Sequence, residues 1–233
     1  MRVPAALAAL FFAAALPALA AEIAPTLTVT GEGSAAVAPD MATVQIGVTS
    51  EADTAKAALD ANTAAMQAAL DRLKAAGIED RDIQTTGLNL GPRYDYNRTK
   101  ADGSAEITGF LASNGVTVRV RDLGGLGALL DAVVTDGANT LNGVSFGLQD
   151  PVPALDAARK DAVADARRKA ELYAAAAGVG LGRIVSIAEQ SGYQPPMPMA
   201  MAEASYAKSA PVPVAAGEVK MMASVTIVWG LAE

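Results

Sequence analysis

Two stretches near the start of the chain alternate apolar and polar side chains with a period of two. Apolar residues alternate with threonines over 26–30, and with Thr, Gln and Gly over 43–49. Such alternation predicts strands that bury one face. Between them, the glycines Gly31 and Gly33 and the pair Pro39-Asp40 predict a break that separates the two strands.

Three later stretches have the apolar spacing of amphipathic helices. The first extends from a cap at Asp53 or Thr54 to Ala76, the second follows Asp122, and the third covers about 151–177. Alanines dominate one face of the third helix. Because an alanine face is thin, we expect this helix to approach a sheet closely.

Further strands are predicted over 83–96, 106–121, 144–148, 183–189 and 219–229. The predicted order is therefore β-β-α-β-β-α-β-α-β-β. It indicates an α+β fold, a two-layer sandwich with helices packed on a mostly antiparallel sheet. We expect a single domain over 21–233, which is compatible with two intimately joined lobes, one of them an inner lobe at about 106–190.

The two least regular parts of the chain are its beginning and the stretch 193–216. Residues 1–20 hold one charge, Arg2, then an apolar run that ends in Ala-Leu-Ala, which is typical of a cleaved signal peptide. The alternative is an uncleaved membrane anchor. Proline and methionine are concentrated in 193–216, and a long unpatterned segment of this kind indicates a flexible or functional loop.

The composition of the chain excludes the commonest kinds of catalytic site. The 233 residues include no histidine and no cysteine, so there is no Ser-His-Asp triad, no thiol nucleophile, no disulfide and no ordinary zinc site. The formal net charge is −7, and it becomes −8 when the leader with Arg2 is removed. Nucleic acid is therefore not an expected partner. No cofactor is expected, and after processing no apolar run is long enough to span a membrane.

Two tyrosines stand out as candidates for a contact surface. Tyr94 and Tyr96 share a face of the predicted strand with Leu88 and Leu90, and Asp102-Gly103 predicts a hairpin turn beyond them. Aromatic side chains are enriched where proteins associate. The same alternation also suits two tyrosines in the core.

Two other groups of residues suggest different chemistry. The thioethers of Met197, Met199 and Met201 are soft ligands suited to Cu(I), and methionine can also consume oxidants. The alternative is a loop whose methionines only pack. Asp80 and Asp82 are a candidate carboxylate pair for a hydrolase, although such spacing is more typical of a solvated turn.

Short motifs follow one another in a fixed order along most of the chain. They are Asp82–Thr85, Leu88–Tyr96 (LNLGPRYDY), Ile107–Phe110, Ala112–Asn114, Val118–Asp122, Gly137–Asn139, Gly143–Phe146 and Gly180–Gly182. With them the sequence resembles the SIMPL-domain family over about 26–231. Phe110 stands where tyrosine is common in that family.

The resemblance implies an exported bacterial protein of the periplasmic immunogenic type, associated with oxidative-stress defence. It also implies a tendency to self-assemble, and it supplies no catalytic residues. We therefore expect a non-enzymatic periplasmic protein that acts as a homo-oligomer or through another envelope protein.

Overall fold

The fold is an α+β arrangement of helices on antiparallel sheets, as the sequence predicts. The computed structural model describes residues 24–99, 103, 105–190, 197–199 and 214–232, with the backbone alone for 97–99 and 197–199. The predicted leader, 1–20, lies outside these residues, as do Met201 and most of 193–216. The described elements are β1 (Thr26–Val37), β2 (Met41–Ala52), α1 (Ala55–Ala75), β3 (Ile83–Thr99), β4 (Ala105–Val120), α2 (Leu126–Thr135), β5 (Thr140–Gly147), α3 (Val152–Ala177), β6 (Gly180–Glu189), β7 (Met197–Met199) and β8 (Glu218–Ala232).

The strands form two sheets, where the sequence suggested one. The first has the order β1-β8-β6, with β7 also paired to β8, and α3 covers one of its faces. The central strand, β8, contributes Ile227 and the single tryptophan, Trp229, to a core closed by alanines of α3. The prediction that the last strand lies inside a sheet is thus confirmed.

The predicted break at Gly31 and Gly33 is wrong, because β1 continues through both glycines to Val37. A Cβ at Gly31 would lie 2.1 Å from the carbonyl oxygen of Ala162, and one at Gly33 would lie 2.1 Å from that of Ala158. These glycines therefore serve the close approach of α3, the approach expected from its alanine face.

The second sheet is built from one continuous segment, residues 41–147. Its strand order is β3-β4-β2-β5, and α1 and α2 pack on one face. Thr54 caps α1, since its hydroxyl accepts a hydrogen bond from the backbone N–H of Ala57 at 3.2 Å. Residues 106–190 are divided between the two sheets. Strands β4 and β5, with α2, belong to the second sheet, whereas α3 and β6 belong to the first.

Two segments connect one sheet and its helices to the other: residues 38–40, between β1 and β2, and residues 148–151, between β5 and α3. A network of polar side chains joins these two segments. The guanidinium of Arg121 donates two hydrogen bonds to buried Asp82, at 2.8 and 2.9 Å, and one to Gln149 Oε1 at 2.7 Å. The backbone N–H of Gln149 donates in turn to Asp40 Oδ1 at 2.7 Å. The end of β4 is thereby linked to both connections.

Candidate interaction surface

The hairpin of β3 and β4 extends beyond the rest of its sheet. The last residue of β2, Ala52, lies opposite Phe110, whereas β3 and β4 stay paired as far as Thr99 and Ala105. The outer part of the hairpin, from Arg93 to Gly109, therefore has no third strand beside it among the described residues. A two-stranded ribbon has little opportunity to bury its side chains.

Among the described side chains of this hairpin, five large and exposed apolar ones follow one face. We call them the hairpin strip: Leu88, Leu90, Tyr94, Tyr96 and Ile107. The residues of β3 in the strip are separated by two or four positions along the strand, so they point to one face. Ile107 joins them because it lies directly opposite Tyr94 in the strand pairing.

The strip continues the sheet face that α1 covers. Leu90 lies opposite Ala112, which is fully buried beneath α1. Helix α1 packs mainly on β2 and β4 and leaves most of the edge strand β3 uncovered. The strip is thus an apolar face that the helix above the neighbouring strands does not reach.

The two tyrosines contact each other and are open to solvent. Their ring centroids are 6.3 Å apart with planes tilted by 41°. Tyr94 is 45% exposed and Tyr96 is 80% exposed. The alternative that both tyrosines lie in the core is therefore wrong.

A tight contact holds the base of the hairpin against β2. A Cβ at Gly109 would lie 2.9 Å from the carbonyl oxygen of Ala52, so the strands can approach only because residue 109 has no side chain. Arg93 Nη1 reaches across to Glu51 Oε2 at 2.7 Å. This ion pair and the close approach fix the direction in which the hairpin leaves the sheet.

The edge of β3 is poorly suited to pairing with a further strand. Pro92 has no N–H to donate, and the pairing with β4 shifts near Gly87 and again between Arg93 and Tyr94. Proline and bulges protect edge strands against strand addition. The side chains of the strip, rather than the backbone of β3, are therefore the groups available for contact.

The structure describes only part of the predicted methionine group. Within β7, Met197 lies opposite Lys220 and Met199 opposite Glu218 in the pairing with β8, so part of the predicted loop is a short strand. Met201 lies outside the described residues. In the part of the chain that the structure describes, no three His, Cys, Asp or Glu side chains form a metal-binding group.

Asp80 and Asp82, the candidate carboxylate pair, contact separate basic side chains. Asp80 is exposed and lies 2.7 Å from Lys74 Nζ. Asp82 is buried and engaged by Arg121, whose hydrogen bonds lower the pKa of the Asp82 carboxyl group despite its burial. The two carboxylates thus each bind a separate basic side chain rather than each other.

Part of the strip was accessible to sequence reasoning and part was not. The alternation in β3 predicts that Leu88 and Leu90 share a face with both tyrosines, and the register agrees. Ile107 was missed, because its position opposite Tyr94 depends on an extra residue, Thr108, in β4. The local signal for that irregularity is Gly109, because an isolated glycine inside a strand suggests a bulge, and its φ here is +153°.

Among the described residues, no helix is both long enough and apolar enough to cross a bilayer.

Comparison with known proteins assigns the chain to a family. A family model described as SIMPL, protein of unknown function (DUF541), matches residues 27–229. A 26 kDa periplasmic immunogenic protein of Brucella melitensis is 43% identical over 226 residues, which cover 92% of this chain and 90% of the relative. An uncharacterized protein of Escherichia coli K12, YggE, is 32% identical over 226 residues, covering 94% of this chain and 87% of the relative. The matches cover nearly the whole chain, and it belongs to the SIMPL family.

Proposed function

We propose that this chain is a periplasmic protein that associates with further copies of itself through the hairpin strip and supports envelope or oxidative-stress defence without catalysing a reaction. The predicted leader and the periplasmic relatives in two Brucella species support the location. The family resemblance supports the link to stress defence. The absence of histidine and cysteine from the sequence supports a role in association rather than catalysis.

The observation that carries the proposal is the exposure of the hairpin strip. Large apolar side chains that form a contiguous exposed group mark interaction sites far more often than scattered ones do. Tyrosine is among the residues that contribute most to binding at such sites. The strip combines two tyrosines that contact each other with Leu88, Leu90 and Ile107 on one face of the β3–β4 hairpin.

The composition of the strip favours a second copy as the partner. None of its five residues carries a charge at neutral pH, so two strips can meet without placing like charges together. Symmetric contact between identical apolar patches is the commonest route to homodimers. A different envelope protein is the alternative partner, and the experiment below separates the two.

The proposal predicts that the purified mature chain, residues 21–233, associates and that the double variant Tyr94→Ser/Tyr96→Ser associates less. Truncating a tyrosine at the centre of an interface costs about 2 kcal/mol or more, so the dissociation constant should rise at least roughly tenfold. Light scattering coupled to size-exclusion chromatography, over a range of concentrations, measures the change in mass.

The matched control is Tyr173→Ser, because Tyr173 is 52% exposed and lies on α3, away from the hairpin. Its association should equal that of the wild type. A wild-type chain that remains monomeric at micromolar concentration would contradict self-assembly. Cross-linking in the cell that captures a different envelope protein through the hairpin would instead favour the alternative partner.

A further inference from the structure

The outer edge of β1 is closed by side chains of α3. Strand β1 lies at one end of its sheet, with β8 on one side and no strand on the other among the described residues. The backbone groups of its even-numbered residues point toward this open side. An unpaired strand edge of this kind is a template for pairing with another chain.

Three of these backbone groups are bound by three side chains. Asp165 Oδ2 accepts a hydrogen bond from the N–H of Glu32 at 3.0 Å, and Asp161 Oδ2 accepts one from the N–H of Ser34 at 3.2 Å. Lys169 Nζ donates to the carbonyl oxygen of Thr30 at 3.2 Å and lies 2.7 Å from Asp165. Acceptors thus meet the outward N–H groups, and a donor meets the outward carbonyl.

The match depends on the spacing of the two elements. The three side chains are four residues apart along α3, which corresponds to about 6 Å of helix rise per step. Their partners are two residues apart along β1, which corresponds to about 6.6 Å of strand. A helix running antiparallel to the strand can therefore present one side chain to each outward backbone position.

The close approach that makes these bonds possible comes from the glycines of β1. With Gly31 and Gly33 facing Ala158 and Ala162, the helix backbone lies directly on the strand. Larger residues at either glycine would push α3 away and lengthen all three contacts. The glycine pair and the charged row of α3 are therefore parts of one arrangement.

A side chain also binds the backbone of a strand elsewhere in the fold, and there a single residue is sufficient. Asn139 Oδ1 accepts from the N–H of Thr49 at 2.8 Å, and Asn139 Nδ2 donates to the carbonyl of Thr49 at 2.7 Å. The side-chain amide pairs with the backbone as a neighbouring strand would.

We propose that Asp161, Asp165 and Lys169 take the place of a neighbouring strand and prevent β1 from pairing with the edge strand of a second copy. The three side chains close the edge whether or not the hairpin strip associates, so this inference does not depend on the function proposed above. It assigns a common role to Asp161, Asp165 and Lys169, the charged row of α3.

The test removes the covering groups from the purified mature chain. Asp161→Ala is the first variant, because Asp161 is exposed and the folded core does not require it. Asp161→Ala/Asp165→Ala is the second. Both are made in the Tyr94→Ser/Tyr96→Ser background, so that association through the hairpin does not contribute. Hydrogen exchange at the amides of Glu32 and Ser34, measured at low concentration, and light scattering at rising concentration are the readouts.

We expect exchange at Ser34 to accelerate at least roughly tenfold in Asp161→Ala, and the mass at high concentration to exceed that of the background chain. Adding Ser34→Pro should abolish the extra mass, because proline removes the outward N–H and blocks strand pairing there. The control Arg167→Ala/Glu171→Ala, an exposed pair on another side of α3, should change neither readout.

Unchanged exchange at Ser34 in Asp161→Ala would overturn the proposal. So would accelerated exchange with an unchanged mass, or extra mass that Ser34→Pro leaves in place. If the double variant fails to fold, the single variant decides the outcome.

Discussion

At the scale of single residues, the least predictable feature is which charged side chains form buried ion pairs. Asp82 belongs to the acidic pair that suggested hydrolase chemistry, yet it lies beneath Arg121, 39 residues further along the chain. A sequence reading can place Arg121 in an ion pair at a strand end. It cannot name the partner, because that partner is fixed by the pairing of β3 with β4.

The Asp82–Arg121 pair predicts a specific dependence of stability on pH. Hydrogen bonding from Arg121 lowers the pKa of Asp82, so its contribution to stability is complete above the unfolded-state pKa of about 3.9 and is lost as pH falls through the lower folded-state pKa. Asp82→Asn should therefore be less stable than the wild type at pH 7, and the difference should shrink below about pH 4.

Urea unfolding monitored at Trp229 between pH 2.5 and 7 measures this difference. Asp80→Asn, at the exposed neighbouring carboxylate, should follow the wild-type curve closely. A difference between Asp82→Asn and the wild type that stays constant down to pH 2.5 would rule out this role for the pair.

At the scale of elements, the helices were the most predictable parts of the chain. Their periodicity and end signals are local, and the predicted α3 at 151–177 compares with Val152–Ala177 in the structure. Strand β1 was predicted poorly, because Gly31 and Gly33 signal a turn when read locally. These positions are glycines because the backbone of α3, about 130 residues further along the chain, lies directly against them. No local pattern reveals that contact.

Because α3 packs so closely on β1, we expect a single methyl group added at Gly31 to lower the free energy of unfolding substantially. Gly31→Ala places a Cβ against the Ala162 carbonyl and the Ala166 backbone, so the helix must move outward. We expect a loss of about 1–3 kcal/mol or more in the free energy of unfolding, as for overpacked cores.

Gly147→Ala is the matched control, because a Cβ at Gly147 would meet nothing within 4 Å. Chemical denaturation of both variants measures the two penalties. Equal stabilities for the two variants would mean that α3 does not lie as closely on β1 as the structure shows.

At the scale of the whole molecule, the division into two sheets sets where the chain can make contacts. The α+β class and the order of elements were predictable from the sequence. The separation of 41–147 into its own sheet was not, because alternation shows that a strand is half buried but not which strand lies beside it. For the same reason, the pattern placed Tyr94 and Tyr96 on one face but left open whether that face was covered.

The central claim is that the exposed face of the hairpin is the surface through which copies associate. Since the chain contains no cysteine, Tyr96→Cys introduces a unique thiol in the strip, and Tyr173→Cys introduces one at an exposed control site on α3. The measurement is the rate of maleimide modification of each thiol as protein concentration rises. Modification at position 96 should slow as the protein concentration rises, whereas modification at position 173 should not. Equal rates at position 96 at every concentration, in a chain that light scattering shows to be assembled, would contradict the central claim.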